Sequence, residues 1–178
     1  VSHTPGVDDI DVHLSNGISI QAPGIGEIQA DSSSPEDAIT VLSHAHGDHL
    51  ADSFDDTIAP VCSDLTAALA ADRRGGADIV PGTHNRIRLL PAGHIAGARA
   101  AYIDSDAGSI LYTGDITVRD RYYLNGFDPI PADVLIIEAT YGKPEYVFPP
   151  VEHVEMEALE WLAENDDSPA ILFGYPLG

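Results

Sequence analysis

The sequence predicts one α/β domain with sheet in its middle and helices outside it. Three observations carry that expectation. Short β-branched runs bounded by turn residues fill most of the chain up to the TGD at 113–115. Two segments have helical periodicity and helix-stop signals, and the apolar run DVLII (133–137) lies between them. The chain has 178 residues, 44% of them hydrophobic, which is enough for a single core.

The predicted strands, in order, are GISIQA (17–22), GEIQAD (26–31), AITVLSH (38–44) and IAPVCS (58–63). A helix follows over DLTAALAADRR (64–74), with Asp64 as N-cap, an Ala- and Leu-rich interior, and Gly75-Gly76 as its stop. Strands resume at NRIRLL (85–90), ARAAYID (98–104) and SILYTGD (109–115). Asp106-Ala107-Gly108 joins the last two as a hairpin turn, because Asp and Gly tolerate the positive φ that such turns need. DVLII suits a strand buried on both faces. The second helix, EHVEMEALEWLAE (152–164), sets Val154, Ala158, Trp161 and Leu162 along one face.

Charge narrows the setting. There are 29 Asp and Glu against 8 Lys and Arg, a formal net charge of -21, and Lys143 is the one lysine. Self-repulsion of that size destabilises a compact state in dilute buffer. At 1 M salt the Debye length falls to about 3 Å and the repulsion is screened, so the composition points to a halophile with a salt-loaded cytoplasm. Such a bias acts on every protein of that cell alike, so the acidic surface does not exclude a nucleic-acid substrate. The single cysteine, Cys62, rules out an internal disulfide and a cysteine-based zinc cluster, and its apolar surroundings predict a core thiol. No apolar run approaches the roughly 18 residues of a membrane span, so no membrane partner is expected and the protein reads as cytoplasmic. Nothing in the sequence decides its oligomeric state.

The chemistry concentrates in SHAHGDHL (43–50). A strand leads directly into His44 and His46, which at i and i+2 project to the same side of extended chain and can share one ion. The turn at Gly47 redirects Asp48 and His49 towards a neighbouring position, which is geometry for two adjacent metals. Imidazole with carboxylate suits zinc, with iron or manganese as alternatives. His94, among the small residues of PAGHIAGA (91–98), and Asp115, closing LYTGD (111–115), stand at the ends of two further strands. Either alone reads as a cap or a turn residue; beside SHAHGDHL both become candidate ligands.

In this order and spacing, SHAHGDHL, PAGHIAGA and LYTGD resemble the metallo-β-lactamase superfamily. The resemblance implies an αβ/βα sandwich with a two-metal site at one edge. His44, His46 and His94 would bind one metal, Asp48 and His49 the other, and Asp115 would bridge them. The segment IIEATYGKPEYVFPP (136–150) is similar to the β-CASP nuclease branch, which includes messenger-RNA 3'-end processing nucleases and DNA-ligase-associated exonucleases. The likeness covers about residues 10–178. It also implies one more histidine on the second metal, and another acting with the acidic residue that matches Glu138. His3, His13, His84 and His153 do not fall where these are expected. The chain is therefore expected to be the amino-terminal part of a longer nuclease, ending before the β-CASP domain.

The function this implies is hydrolysis of RNA, or of DNA, with two divalent ions, zinc foremost, supplying a hydroxide and neutralising charge on the phosphate. Asp48 and Glu138 are the expected catalytic carboxylates, Glu138 placing a proton donor for the departing oxygen. Thr140 and Tyr141 are expected to support that corner, and Arg119 and Arg121 to reach a phosphate. A thioester or lactone hydrolase using the same motif is the competing enzyme class. An inert metal-binding domain is the non-enzymatic alternative.

Overall fold

The computed structural model describes residues 4–36, 38–54, 58–121 and 123–174. It is an α/β structure whose strands form two four-stranded mixed sheets of the same plan. The first holds β1 (Asp11–Ser15), β2 (Gly17–Ala22), β3 (Gly26–Ala30) and β4 (Ile39–Val41) in that order. The second holds β5 (Ile87–Pro91), β6 (Arg99–Ser105), β7 (Gly108–Tyr112) and β8 (Val134–Ile136). In each sheet the first three strands pair antiparallel, and the last joins its neighbour in parallel. Helix α1 (Asp64–Arg73) lies between the sheets in sequence, and α2 (Val151–Glu164) comes last.

Period-two alternation decides which side chains meet. Ile20, Ile28 and Val41 of the first sheet pack with Ala101, Ile103, Ile110 and Tyr112 of the second in one core. The alternate residues Ala100 and Leu111 turn to the other face of the second sheet and pack with Phe127. A further cluster joins Leu42, Ala45, Leu50 and Cys62 to Ala67 and Ala70 of α1. Burial there pushes the Cys62 thiol up to about 12, so it is a protonated core residue.

The hairpin turn is where the spacing places it: Ser105 pairs with Gly108 across Asp106-Ala107, and Gly108 takes φ 135°. Three expectations are corrected. IAPVCS is no strand, because it contributes only isolated parallel bridges from Val61 to Val41 and to Gly82. Pro60 has no N–H to extend the ladder. Ser63, not Asp64, caps α1; its hydroxyl accepts from the Thr66 N–H at 3.0 Å. DVLII is covered on one face only, with Leu135 and Ile137 each 55% exposed. DVHLS, absent from the strands predicted above, forms the edge strand β1; it alternates polar and apolar residues, yet all five are exposed.

The chain separates into two compact units, Val1–Glu138 and Ala139–Leu177. The first contains both sheets and α1. The second contains α2, which has no buried residue, so the predicted face of Val154 and Trp161 is exposed. Among the described residues, no helix is long and apolar enough to cross a membrane.

Candidate metal centre

Three strand ends in the first unit bring the candidate ligands together. Beyond β4 the extended chain runs through Leu42 and Ser43 into the fully buried His44, while His46 is half-buried. A turn closed by the His49 N–H on the His46 carbonyl, at 3.1 Å, then carries Asp48 outward and His49 back. His94 follows β5 in a loop whose Gly93 takes φ 71°; a Cβ there would lie 2.3 Å from the Thr117 carbonyl oxygen. The carbonyl of Gly97 in the same loop accepts from the hydroxyls of Ser63 and Thr66 at 2.7 and 2.9 Å, tying the loop to the start of α1. Asp115 follows β7 through Thr113 and Gly114.

His44 Nε2 lies 3.2 Å from His46 Nδ1, which lies 3.1 Å from His94 Nε2. Asp115 Oδ2 is 3.5 Å from His94 Nε2 and 3.8 Å from His44 Nε2. One donor atom from each of these four residues falls within 4.8 Å of all the others. Ligands at about 2.0–2.1 Å from a tetrahedral zinc stand roughly 3.4 Å apart, so this donor set and spacing fit a divalent ion. The other Asp115 oxygen, Oδ1, is 3.7 Å from His49 Nε2, which is also 3.7 Å from Asp48 Oδ2. Asp48 is 82% exposed and stands at the rim.

A residue the sequence reading missed organises this arrangement. Asp31, at the end of β3, is buried at φ 50°. Its Oδ1 accepts from the Ser43 N–H at 2.7 Å. Its Oδ2 accepts from the Ser43 hydroxyl at 2.5 Å, the Tyr112 hydroxyl at 2.7 Å and His49 Nδ1 at 2.8 Å. A signal was present: GEIQAD ends in an aspartate just as SILYTGD does.

Electrostatics follow the geometry. Burial, then the neighbouring rings of His49, His94 and His46, hold His44 down at about 2, so it is a neutral donor. Burial also lowers His94, against the pull of Asp115. At His49 burial opposes the charged ring, but the hydrogen bond and charge of Asp31, with Asp115 and Asp48, outweigh it and raise the pKa. Asp115 is raised by burial and by the nearby carboxylates Glu138 and Asp48, against the pull of His49 and His94. Burial and the Asp31 carboxylate push the Tyr112 hydroxyl up as well, so it remains a donor.

The remaining candidates are spread more widely. Glu138 Oε1 accepts from the Ile116 N–H at 3.1 Å. Glu138 lines, with Asp48, His49 and Asp115, an open cleft of about 400 Å³. Arg121 Nη2 donates to the carbonyls of Gly93 and His94, which braces the His94 loop, and Arg119 is exposed. Thr140 and Tyr141 belong to the second unit and are exposed there. Tyr141 packs edge-on against Tyr146 and Phe148, with ring centroids 5.4 and 4.9 Å away. Of the other histidines, His13 and His153 are exposed, His84 Nδ1 accepts from the Arg86 N–H at 3.3 Å, and His3 is outside the described residues.

Fold and cluster together define a class: an α/β domain of two mixed sheets carrying a histidine and aspartate cluster that can hold metal. The chain belongs to the metallo-β-lactamase superfamily, in its β-CASP nuclease branch. It is 35% identical over 150 residues to a "Probable DNA ligase" of Opitutus terrae, covering 77% of this chain and 14% of that protein. It is 37% identical over 82 residues to an "RNase J-like protein" of Methanocaldococcus jannaschii, covering 45% of this chain and 20% of that one. Over 63 residues it is 43% identical to "Cleavage and polyadenylation specificity factor subunit 3" of Dictyostelium discoideum, covering 33% of this chain and 8% of that protein. The chain thus aligns with a fifth or less of the length of each of these relatives. No family model matches it.

Proposed function

We propose that the protein is a metal-dependent phosphodiesterase acting on RNA, with DNA as the second substrate class. The observation that carries this reading is the sharing of Asp115: Oδ2 faces the His44, His46 and His94 nitrogens and Oδ1 faces His49. Relatives named RNase J-like protein and cleavage and polyadenylation specificity factor subunit 3 support the substrate class. We further propose that the chain carries part of a metallo-β-lactamase-type sandwich. The 14% share of the ligase-named relative that it matches supports this.

Two divalent ions, most simply zinc, held here would lower the pKa of a shared water and neutralise charge building on the phosphate. This chain's residues do the rest. His44, His46 and His94 present ring nitrogens on one side of Asp115, while His49 presents Nε2 and Asp48 a carboxylate oxygen on the other. Asp48 at the rim accepts the proton of a water held beside it. Glu138, fixed by the Ile116 N–H, lines the same cleft as Asp48, His49 and Asp115 and would position the proton donor to the departing oxygen. Arg121 keeps the backbone carrying His94 in register.

Elemental analysis of the purified chain, together with cleavage of labelled RNA and DNA in molar KCl, tests the reading. Two metals per chain with RNA cleavage is the expected result, and His46→Ala should lower the metal content. Hydrolysis of thioesters or lactones without phosphodiester cleavage would replace the nuclease reading. Wild-type metal content in the variant would remove His46 from the ligand set. The second reading is a domain that binds metal without turnover: His49 Nε2 stands 3.7 Å from both Asp48 Oδ2 and Asp115 Oδ1, and Asp48 is 82% exposed at the rim. One metal per chain and no cleavage would support it.

A further inference from the structure

We propose that Tyr141, Tyr146 and Phe148 form a stacking platform for the bases of a single nucleic-acid strand. The inference rests on the nucleic-acid reading above and adds to it a second contact, made to bases and independent of metal.

Local chemistry builds the platform within the second unit. The loop between Glu138 and α2 folds through two turns: the Gly142 N–H donates to the Ala139 carbonyl at 3.0 Å, and the Tyr146 N–H to the Lys143 carbonyl at 3.1 Å. A Cβ at Gly142 would meet the Ala139 Cβ and carbonyl oxygen at 3.1 Å, so the first turn has little room for a side chain. Pro144 lies between Tyr141 and Tyr146, and Pro149-Pro150 follows Phe148, which restricts the backbone that carries the rings. Less conformational entropy is then lost when a ligand arrives. The rings of Tyr146 and Phe148, two residues apart, lie parallel within 8°, with centroids 6.5 Å apart. Tyr141 stands edge-on to both.

Rings gathered to make a core are covered by it. These touch one another, yet Tyr141 is 62%, Tyr146 46% and Phe148 63% exposed. Charge decides the occupant. Residues 139–151 hold one base, Lys143, and one acid, Glu145, so the segment is neutral in a chain of formal charge -21. A polyanion repelled by the acidic chain meets no such repulsion from this segment itself. Lys143 is exposed, but one ammonium meets one phosphate, which is too little to hold a strand by charge. Stacking supplies what charge cannot. Every base has a π-face, and contact between flat rings is not screened by salt as ion pairs are.

The test measures binding of short fluorescent oligonucleotides to the purified chain in molar KCl with EDTA, which leaves the strand uncut. Tyr146→Ala and Phe148→Ala should each weaken binding by roughly 5- to 100-fold, and Phe148→Tyr should restore it. An abasic strand of the same length should bind wild type as weakly as the normal strand binds Phe148→Ala, and the variant should not distinguish the two strands. Affinity should hold as KCl is raised through the molar range, whereas phosphate contacts would lose it. Metal content of both variants should stay at the wild-type value, since the rings lie outside the ligand set. Wild-type affinity in both alanine variants, equal binding of abasic and normal strands, or no binding by wild type would overturn the proposal. A dimer that dissociates in Phe148→Ala, with no strand affinity, would assign the rings to a protein interface and overturn it too. Base-dependent binding with no cleavage by the metal-loaded chain would remove the nuclease reading and leave the platform standing. Cleavage by wild type together with undiminished strand binding in both alanine variants would do the reverse.

Discussion

Gly114 stands where the centre can least accept a side chain. Its φ is 55°, and a Cβ would lie 2.5 Å from Ser43 Cβ and 2.6 Å from Ser43 Oγ. Ser43 is fully committed to Asp31 and His44, so it cannot move aside without breaking both contacts. Gly114→Ala should therefore destabilise the fold by about 1–3 kcal/mol or more and weaken metal binding together, measured by denaturant unfolding and zinc competition. Loss of stability with unchanged zinc affinity would mean that the Ser43 contacts survive the shift. The TGD motif was legible in the sequence as a source of Asp115. The reason for its glycine was not, because the clash is with a residue 71 positions earlier.

Two elements carry predictions of their own. Ser63 both caps α1 and holds the Gly97 carbonyl of the His94 loop. Ser63→Ala should cost about 1 kcal/mol for the cap. It should also loosen the loop, read as faster amide exchange across residues 94–97. Normal exchange there would confine Ser63 to the helix. The entry to β8 is held by Asp133, whose Oδ2 accepts from the Ser109 N–H and hydroxyl at 2.8 and 2.7 Å. Those bonds hold its carboxyl below the usual carboxylate range. A carboxyl depressed on folding stabilises above its unfolded pKa, about 3.9, and that contribution is lost as pH falls through the depressed value. Asp133→Asn should therefore lower stability at neutral pH and flatten its decline in acid below that point. An acid limb identical to wild type would show that other carboxylates set it. The strand signals around these elements were legible because alternation marks half-buried strands. DVHLS alternates as well, but β1 is exposed at all five positions, so there the pattern is not a record of burial.

Net charge acts on the molecule as a whole. A formal charge of -21 over 178 residues is a self-repulsion that salt screens within about 3 Å at 1 M. The melting temperature should rise from dilute buffer to molar KCl, and an equal concentration of the uncharged osmolyte sucrose should not reproduce the full rise. A melting temperature insensitive to KCl would mean that the acidic surface is stable without screening.

The sequence by itself determined the ligand candidates, the hairpin, both helices and the family, since each depends on residues close together in the chain. Spacing along one strand end is enough to mark His44, His46, Asp48 and His49 as a group. Tertiary structure decided what stands behind them. Asp31, Ser43 and Tyr112 meet because β3, β4 and β7 end at the same place. It also turned Arg121 onto the His94 loop and left Thr140 and Tyr141 in a separate unit. A hydrogen bond spanning 81 residues, as between Asp31 and Tyr112, leaves no local pattern, because both residues read alone as ordinary strand ends.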